Sequence, residues 1–218
     1  MADRGFLDTG VVFGYCVPVD QHHSSCVTYV EEDNNLYVSD EVESEYIQIK
    51  EERVDELADD VRDHVKRLES SSLDAQLDPM DINEIKKHHL NRGDDAYRFL
   101  YRFYDEELGN FAQLDRIKRK LRQAARDLET IALKRKRSLD EETTKWEPQS
   151  QHGDVRSTLS MIHQQDLDIC IHAHDLACCC DGETEFATAN PTDFVDDGRE
   201  TAILKATELA DIVDLANR

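Results

Sequence analysis

Phe6-Leu7-Asp8-Thr9, close to the start of the chain, is a short apolar run that ends in a carboxylate. A similar run near the other end, Glu185-Phe186-Ala187-Thr188-Ala189, leads into the turn Asn190-Pro191-Thr192. Both patterns predict short strands, and Leu36-Tyr37-Val38 and residues 210–213 predict two more. Because helical patterns separate these strands at both ends of the chain, we expect an α/β fold with a short parallel sheet.

Helical spacing of apolar residues accounts for most of the remaining chain. Ser39 is a favourable N-cap for a long helix in which apolar residues recur from Val42 to Leu68. Helices are predicted at residues 22–31, 40–69, 82–90, 94–108, 111–138, 155–163, 165–178 and 198–206. The polar residues 139–153, which include Pro148, are predicted to form a loop or linker. We therefore interpret residues 1–218 as one domain in which residues 70–153 form a helical insertion.

The charge of the chain is strongly acidic. Its 218 residues include 48 acidic and 26 basic ones, for a formal net charge of −22. An excess of carboxylates over lysines favours a halophilic host, because at molar salt a Debye length of about 3 Å screens an acidic surface. Acidity of this origin does not exclude a nucleic-acid substrate. No run approaches the ~18 apolar residues of a membrane span. The first eight residues lack a signal-peptide pattern, so we expect a cytoplasmic protein without membrane contact.

The cysteines and histidines give no metal-site spacing. The six cysteines are Cys16, Cys26, Cys170 and the run Cys178-Cys179-Cys180. We expect them to be reduced thiols with a structural role. His172 and His174 precede the run, but residues two apart on a helix point about 200° from each other. We therefore expect no zinc site.

Carboxylates follow the predicted strands. Asp8 ends the first strand and Asp193 follows the late strand, while Glu45 and Asp166 lie near the starts of helices. In parallel α/β sheets, ligands bind beyond the carboxyl ends of the strands. Four carboxylates in one cleft would repel unless a cation balanced them, and oxygen ligands suit Mg²⁺ or Mn²⁺. Such ions support phosphodiester hydrolysis.

Four segments, in this order along the chain, carry a resemblance to a known family. They are Phe6–Val12, Val38–Glu45, Asp166–Ala173 and Phe186–Phe194. Together they make the chain similar to the PIN-domain nucleases, the family that includes the ribonuclease toxins of toxin–antitoxin pairs. The resemblance covers about residues 5–50 and 155–215. It implies a PIN-like three-layer α/β/α domain with a short parallel sheet.

The resemblance also implies roles for individual residues. The acidic set that would bind Mg²⁺ or Mn²⁺ and support catalysis is Asp8, Glu45, Asp166 and Asp193. Asn190 would position a ligand, and Thr9 would be a polar group next to the ligands. The implied reaction is the attack of water on an RNA phosphate, which leaves 5′-phosphate and 3′-hydroxyl ends.

Some alternatives stay open. Glu41 or Glu43 could take the place of Glu45, and Asp168 competes with Asp166. The enzyme could be a toxin or an RNA-processing ribonuclease, and the implied partners are RNA, an antitoxin protein and a second copy of the chain. The alternative function is a non-catalytic PIN-like module that binds RNA or protein.

One basic segment stands out in this acidic chain. Residues 116–137 contain ten basic residues and only two acidic ones. The basic residues are Arg116, Lys118, Arg119, Lys120, Arg122, Arg126, Lys134, Arg135, Lys136 and Arg137. Apolar residues between them can occupy the other face of one helix, so we predict a helix face that binds RNA phosphates. The alternative is a solvated face, or one that pairs with acidic neighbours or an acidic partner.

Overall fold

The computed structural model describes residues 2–32, 35–106 and 112–217. Its strands are β1 (Arg4–Leu7), β2 (Asn35–Ser39), β3 (Gln76–Leu77), β4 (Ala112–Gln113), β5 (Thr143–Trp146), β6 (Thr184–Thr188) and β7 (Asp211–Asp214). The α-helices are α1 (Thr9–Cys16), α2 (His23–Glu31), α3 (Asp40–Glu69), α4 (Pro79–Glu84), α5 (Tyr97–Glu106), α6 (Leu114–Glu142), α7 (Gly153–Thr158), α8 (Gln164–Cys179), α9 (Pro191–Phe194) and α10 (Arg199–Ala206). A π-helical turn, Ile85–His89, follows α4, and a 3₁₀ turn, Asp196–Gly198, precedes α10.

A five-stranded sheet with the order β5-β2-β1-β6-β7 forms the centre of the fold. All its neighbouring strands pair in parallel, whereas β3 and β4 form a separate antiparallel pair. The predicted α/β class with a parallel sheet is therefore confirmed. The first strand lies in the middle, between β2 and β6, and this position brings the two ends of the chain side by side.

The central strands are buried along nearly their whole length. Phe6 and Leu7 of β1 are fully buried, and so are Phe186 and Ala187 of β6. A strand that is buried on both of its faces needs helices on both sides of the sheet. The fold is compatible with three layers, α/β/α.

The side chain of Tyr29 in α2 passes over Gly5 of β1 and contacts β6. Its hydroxyl donates a 2.7 Å hydrogen bond to the buried Glu185 carboxylate of β6. Gly5 allows this approach, because a Cβ at this position would overlap the Tyr29 hydroxyl. The contact satisfies a carboxylate that would otherwise be costly to bury.

The two long helices α3 and α6 pack against each other. Their buried residues recur at three- and four-residue steps, which places them on one face of each helix. Within this layer the ring of His64 is fully buried, and its Nε2 lies 2.7 Å from the Tyr104 hydroxyl. Burial lowers the pKa of His64 to about 4, so the ring is neutral near pH 7.

The segment predicted as a loop at residues 139–153 differs from the structure. Helix α6 continues to Glu142, and Thr143–Trp146 then pairs with β2 as an edge strand of the main sheet. The middle of the chain is therefore not all helical. The loop prediction failed because this strand is polar and receives its hydrogen bonds from a distant partner.

Several helix boundaries also differ from the predictions. The helix expected at residues 82–90 begins at Pro79, and Asp78 caps it through bonds to the Met80 and Asp81 amides. Ser39 occupies the N-cap position of α3 but makes no capping hydrogen bond through its side chain. The helix expected at 94–108 begins at Tyr97, and its last two predicted residues lie outside the described ranges. Helix α7 ends before the predicted residue 163.

Within the described ranges, no helix is both long enough and apolar enough to cross a bilayer.

Candidate active site

A cleft of about 330 Å³ opens beyond the carboxyl ends of β1 and β6. Asp8, Thr9, Glu45, Asp166 and Asn190, all named from the sequence, are among its lining residues. Asp8 follows β1 directly, and Asn190 lies two residues beyond β6. The parallel pairing of β1 with β6 thus brings residues from opposite ends of the chain to one cleft.

Asp8 is the most deeply buried of the four carboxylates predicted to bind metal, with 2% of its surface exposed. Its Oδ1 accepts a 2.7 Å hydrogen bond from the Val11 amide, which makes Asp8 the N-cap of α1. Its Oδ2 accepts a 2.5 Å bond from the Thr188 hydroxyl of β6. Burial raises the pKa of Asp8 to about 7, although hydrogen bonds from Thr188 and from backbone amides oppose the rise. Repulsion by Asp166 adds a smaller part of the rise.

Glu45 reaches the cleft from the second turn of α3. The Thr9 hydroxyl donates a 2.5 Å hydrogen bond to Glu45 Oε2, which fixes the direction of this carboxylate. Thr9 itself is buried at the first position of α1, next to Asp8. The two residues therefore connect the starts of α1 and α3 at the cleft.

Asp166 and Asp193 complete the acidic set. Burial raises the pKa of Asp166 to about 6, and repulsion by Asp193 and Glu45 contributes to the rise. Asp193 is in α9, where its Oδ2 accepts a hydrogen bond from the Asn190 side-chain amide. Asp193 does not appear among the residues that line the cleft, but its charge raises the pKa of Asp166. The four carboxylates therefore form one electrostatically coupled group.

The alternative acidic residues do not line this cleft, although Glu41 and Asp168 line a smaller neighbouring pocket with Glu45. Glu43 forms ion pairs with Lys136 of α6 and Lys145 of β5, away from the cleft. Asp168 pairs with Arg156 of α7. Glu41 is exposed. These placements favour Glu45 and Asp166 as the members of the acidic set.

The residues at the cleft fit a hard divalent cation. Their donor atoms are carboxylate oxygens, with hydroxyl and amide groups beside them. Burial is the main cause of the raised pKa values of Asp8 and Asp166, and a cation bound beside these carboxylates would favour their ionised forms. Within the described ranges, no three of these carboxylates offer oxygens that all lie within 4.8 Å of one another. An ion such as Mg²⁺ is commonly held by one or two carboxylates and several waters, so it does not require three carboxylates in direct contact.

The cleft also has basic and aromatic lining residues that were not predicted from the sequence. Arg53, His22 and Phe13 also line it. Arg53 Nε and His22 Nδ1 are buried and have no hydrogen-bond partner among the described residues. The Arg53 guanidinium lies 5.5 Å from the centre of the Phe13 ring. The sequence contained a signal for Arg53, because Glu45, Ile49 and Arg53 are spaced at four-residue steps and so lie on one face of α3.

The basic residues predicted to bind RNA all belong to α6, but they divide into two groups. Six of them are exposed: Arg116, Arg119, Arg122, Arg126, Lys134 and Arg137. At about 100° per residue they occupy a stripe about 120° wide on the side away from the apolar face.

The remaining four, Lys118, Lys120, Arg135 and Lys136, are half-buried. Lys136 pairs with Glu43 and Asp140, and Lys118 lies 2.8 Å from Asp115. The exposed Arg122 also has a partner, Glu69 of α3. Pairing with acidic neighbours therefore accounts for part of the basic segment, and the exposed stripe is the part that can meet a ligand.

Comparison with family models, with curated proteins and with solved structures found no significant match. The similarity to PIN-domain nucleases therefore rests on the motifs in the sequence.

Proposed function

We propose that this protein is a divalent-metal-dependent ribonuclease that hydrolyses phosphodiester bonds in RNA. The observation that carries the proposal is that Asp8, Glu45 and Asp166 line one cleft, with the charge of Asp193 acting on Asp166 and the pKa values of Asp8 and Asp166 raised. Grouped carboxylates with perturbed pKa values are typical of functional sites. Together with the similarity to PIN-domain nucleases, they favour a catalytic cleft over an acidic surface.

The residues of the cleft supply a fixed set of oxygen ligands. Mg²⁺ or Mn²⁺ bound here would polarise a phosphoryl oxygen and activate water, which yields 5′-phosphate and 3′-hydroxyl ends. The Thr188 hydroxyl and the Val11 amide hold Asp8 in one orientation. The Thr9 hydroxyl does the same for Glu45. Ligands that are held in this way need little reorganisation when the substrate binds.

Arg53 gives the cleft a contact for the substrate. Its side chain lines the cleft, and its Nε has no partner among the described residues, although Nη2 lies 3.8 Å from Asp95 Oδ2. A guanidinium can donate paired hydrogen bonds to a phosphate. We assign Arg53 to the binding of an RNA phosphate next to the one that is cut.

The test is a cleavage assay on RNA at high KCl with Mg²⁺, with Mn²⁺ and with a chelator. Asp8→Asn should reduce metal-dependent cleavage at least about 100-fold, because even partners behind metal ligands are worth 10–100-fold. Asn is also a good N-cap, so the variant should fold.

The matched control compares two glutamates of α3. Glu45→Gln should lose most of the activity, whereas Glu41→Gln, one turn away and exposed, should keep it. Cleavage by Asp8→Asn at the wild-type rate, or cleavage that survives chelation, would remove the cleft from the reaction.

A second candidate function is a non-catalytic module that binds RNA. The observation that favours it is the exposed stripe of α6, which can meet phosphates without any chemistry in the cleft. Metal-independent RNA binding without cleavage, lost when the stripe is neutralised, would support this function. The toxin or RNA-processing role, the antitoxin and the homodimer stay predictions of the sequence.

A further inference from the structure

A second group of metal-binding side chains lies outside the acidic cleft. His152, His174 and Cys178 each offer a donor atom, and these atoms all lie within 4.8 Å of one another. His174 and Cys178 are four residues apart on α8, and His152 comes from the segment between β5 and α7. The centres of the two imidazole rings are 4.4 Å apart. We propose that His152, His174 and Cys178 bind Zn²⁺, with a solvent molecule as the fourth ligand.

Asp175 prepares His152 for this role. The Asp175 side chain is 1% exposed, and its Oδ1 lies 2.7 Å from His152 Nε2. When Nε2–H donates to this carboxylate, the lone pair of the imidazole is on Nδ1 and is available to a metal. A histidine oriented by a carboxylate in this way is a common feature of zinc sites.

The same carboxylate fixes the segment that carries His152. Asp175 Oδ2 accepts hydrogen bonds from Trp146 Nε1 at 3.1 Å and from the Gln149 amide at 2.8 Å, and Oδ1 accepts one from the Ser150 amide at 3.1 Å. His152 has a left-handed backbone, with φ 41°. A residue without glycine's freedom keeps such a conformation only where its surroundings impose it. The position of the His152 ring is therefore set before any ligand arrives.

His174 and Cys178 complete the donor set. Cys178 Sγ lies 3.6 Å from both ring nitrogens of His174. His174 Nδ1 accepts a 3.0 Å hydrogen bond from the Glu208 amide. A metal that binds at Nδ1 would use the same lone pair and would therefore replace this hydrogen bond. His172, two residues before His174 on the same helix, is not part of the group.

The chemistry of the group separates it from the acidic cleft. Two imidazole nitrogens and a thiolate suit Zn²⁺, whereas the oxygens of the cleft suit Mg²⁺ or Mn²⁺. The carboxylates of Glu208, Asp175 and Asp154 all act electrostatically on His174, and they help to balance a divalent charge. The bound ion would connect the segment after the edge strand β5 to α8, so it would stabilise that edge of the fold.

The experiment uses the full chain, reduced and stripped of metal. Zn²⁺ affinity is measured by competition with a chelator, and Co²⁺ is added as a spectroscopic probe. One equivalent of Co²⁺ should give the intense near-ultraviolet band of a thiolate–cobalt bond. Cys178→Ser should abolish this band and weaken Zn²⁺ binding at least about tenfold. His152→Ala should weaken Zn²⁺ binding by a similar factor.

The run of cysteines provides the matched control. Cys179→Ser, the exposed neighbour of Cys178, should keep both the band and the affinity. Asp8→Asn should also keep the band, because the acidic cleft offers only oxygen ligands. Circular dichroism confirms that each variant is folded. Equal losses in Cys178→Ser and Cys179→Ser, or no thiolate band at one equivalent of Co²⁺, would overturn the proposal.

Discussion

Asp8 should make the stability of the metal-free protein depend on pH, and Asp8→Asn should remove this dependence. Burial raises the pKa of Asp8 in the folded protein from 3.8 to about 7. The folded state therefore holds this proton more tightly than the unfolded chain does. The resulting stabilisation is complete below about pH 4 and is lost as the pH rises through about 7.

The size of the effect follows from the two pKa values. Between about pH 5 and about pH 8, the contribution of Asp8 to the free energy of unfolding should fall by about 2.5 kcal/mol. In the Asp8→Asn variant, the carboxamide oxygen can still accept the hydrogen bond from the Val11 amide, and the NH2 group can donate to the Thr188 hydroxyl oxygen. The carboxamide does not titrate, so this part of the fall in the free energy of unfolding should disappear. Between about pH 5 and about pH 8, the free energy of unfolding of the wild type should therefore fall by about 2.5 kcal/mol more than that of Asp8→Asn.

The assay is urea unfolding at molar KCl with a chelator present. Comparing the two proteins cancels other titrations, such as those of His23 and His64, whose pKa values burial lowers to about 4. Glu41→Gln should follow the wild type. In the wild type, added Mn²⁺ should reduce the loss of unfolding free energy at high pH, because metals bind the ionised carboxylates. Equal pH dependences in wild type and Asp8→Asn would refute the reasoning.

Three further predictions concern the basic stripe, the packing of α1 and the cleft wall. The double variant Arg119→Ala, Arg137→Ala should weaken RNA binding and reduce the slope of log affinity against log salt by about 1.4 for two contacts to a single strand; fluorescence anisotropy at several KCl concentrations measures both. Gly14→Ala should lower the free energy of unfolding by about 1–3 kcal/mol, since its Cβ would lie 2.7 Å from Cys26 Sγ; urea unfolding measures this loss. Arg53→Gln should raise KM for RNA more than it lowers kcat, and an unchanged KM in steady-state kinetics would contradict the phosphate contact.

The strands show where sequence reasoning succeeds and where it stops. The apolar runs of β1 and β6 could be predicted because both strands are buried in the middle of the sheet. Strand β5, Thr143-Thr144-Lys145-Trp146, could not, because three of its four residues are polar and it lies at the edge. Its conformation depends on pairing with β2, more than a hundred residues earlier. Local propensity carries little information about such a contact.

The candidate site shows a similar division. Asp8 could be placed in a cleft because the residue after a parallel strand faces the ligand-binding edge of the sheet. Arg53 could have been found from its spacing to Glu45 along α3. The contact of His152 with His174 could not, because it depends on how Asp175 folds the polar segment after β5.

The hydrogen bond from Thr188 to Asp8 joins residues 180 positions apart. A ribosome that makes this chain therefore releases β1 well before β6. The nascent polypeptide carries no assembled cleft until β6 has been made. A product truncated before Thr184 lacks both the neighbouring strand and the hydroxyl that orients Asp8.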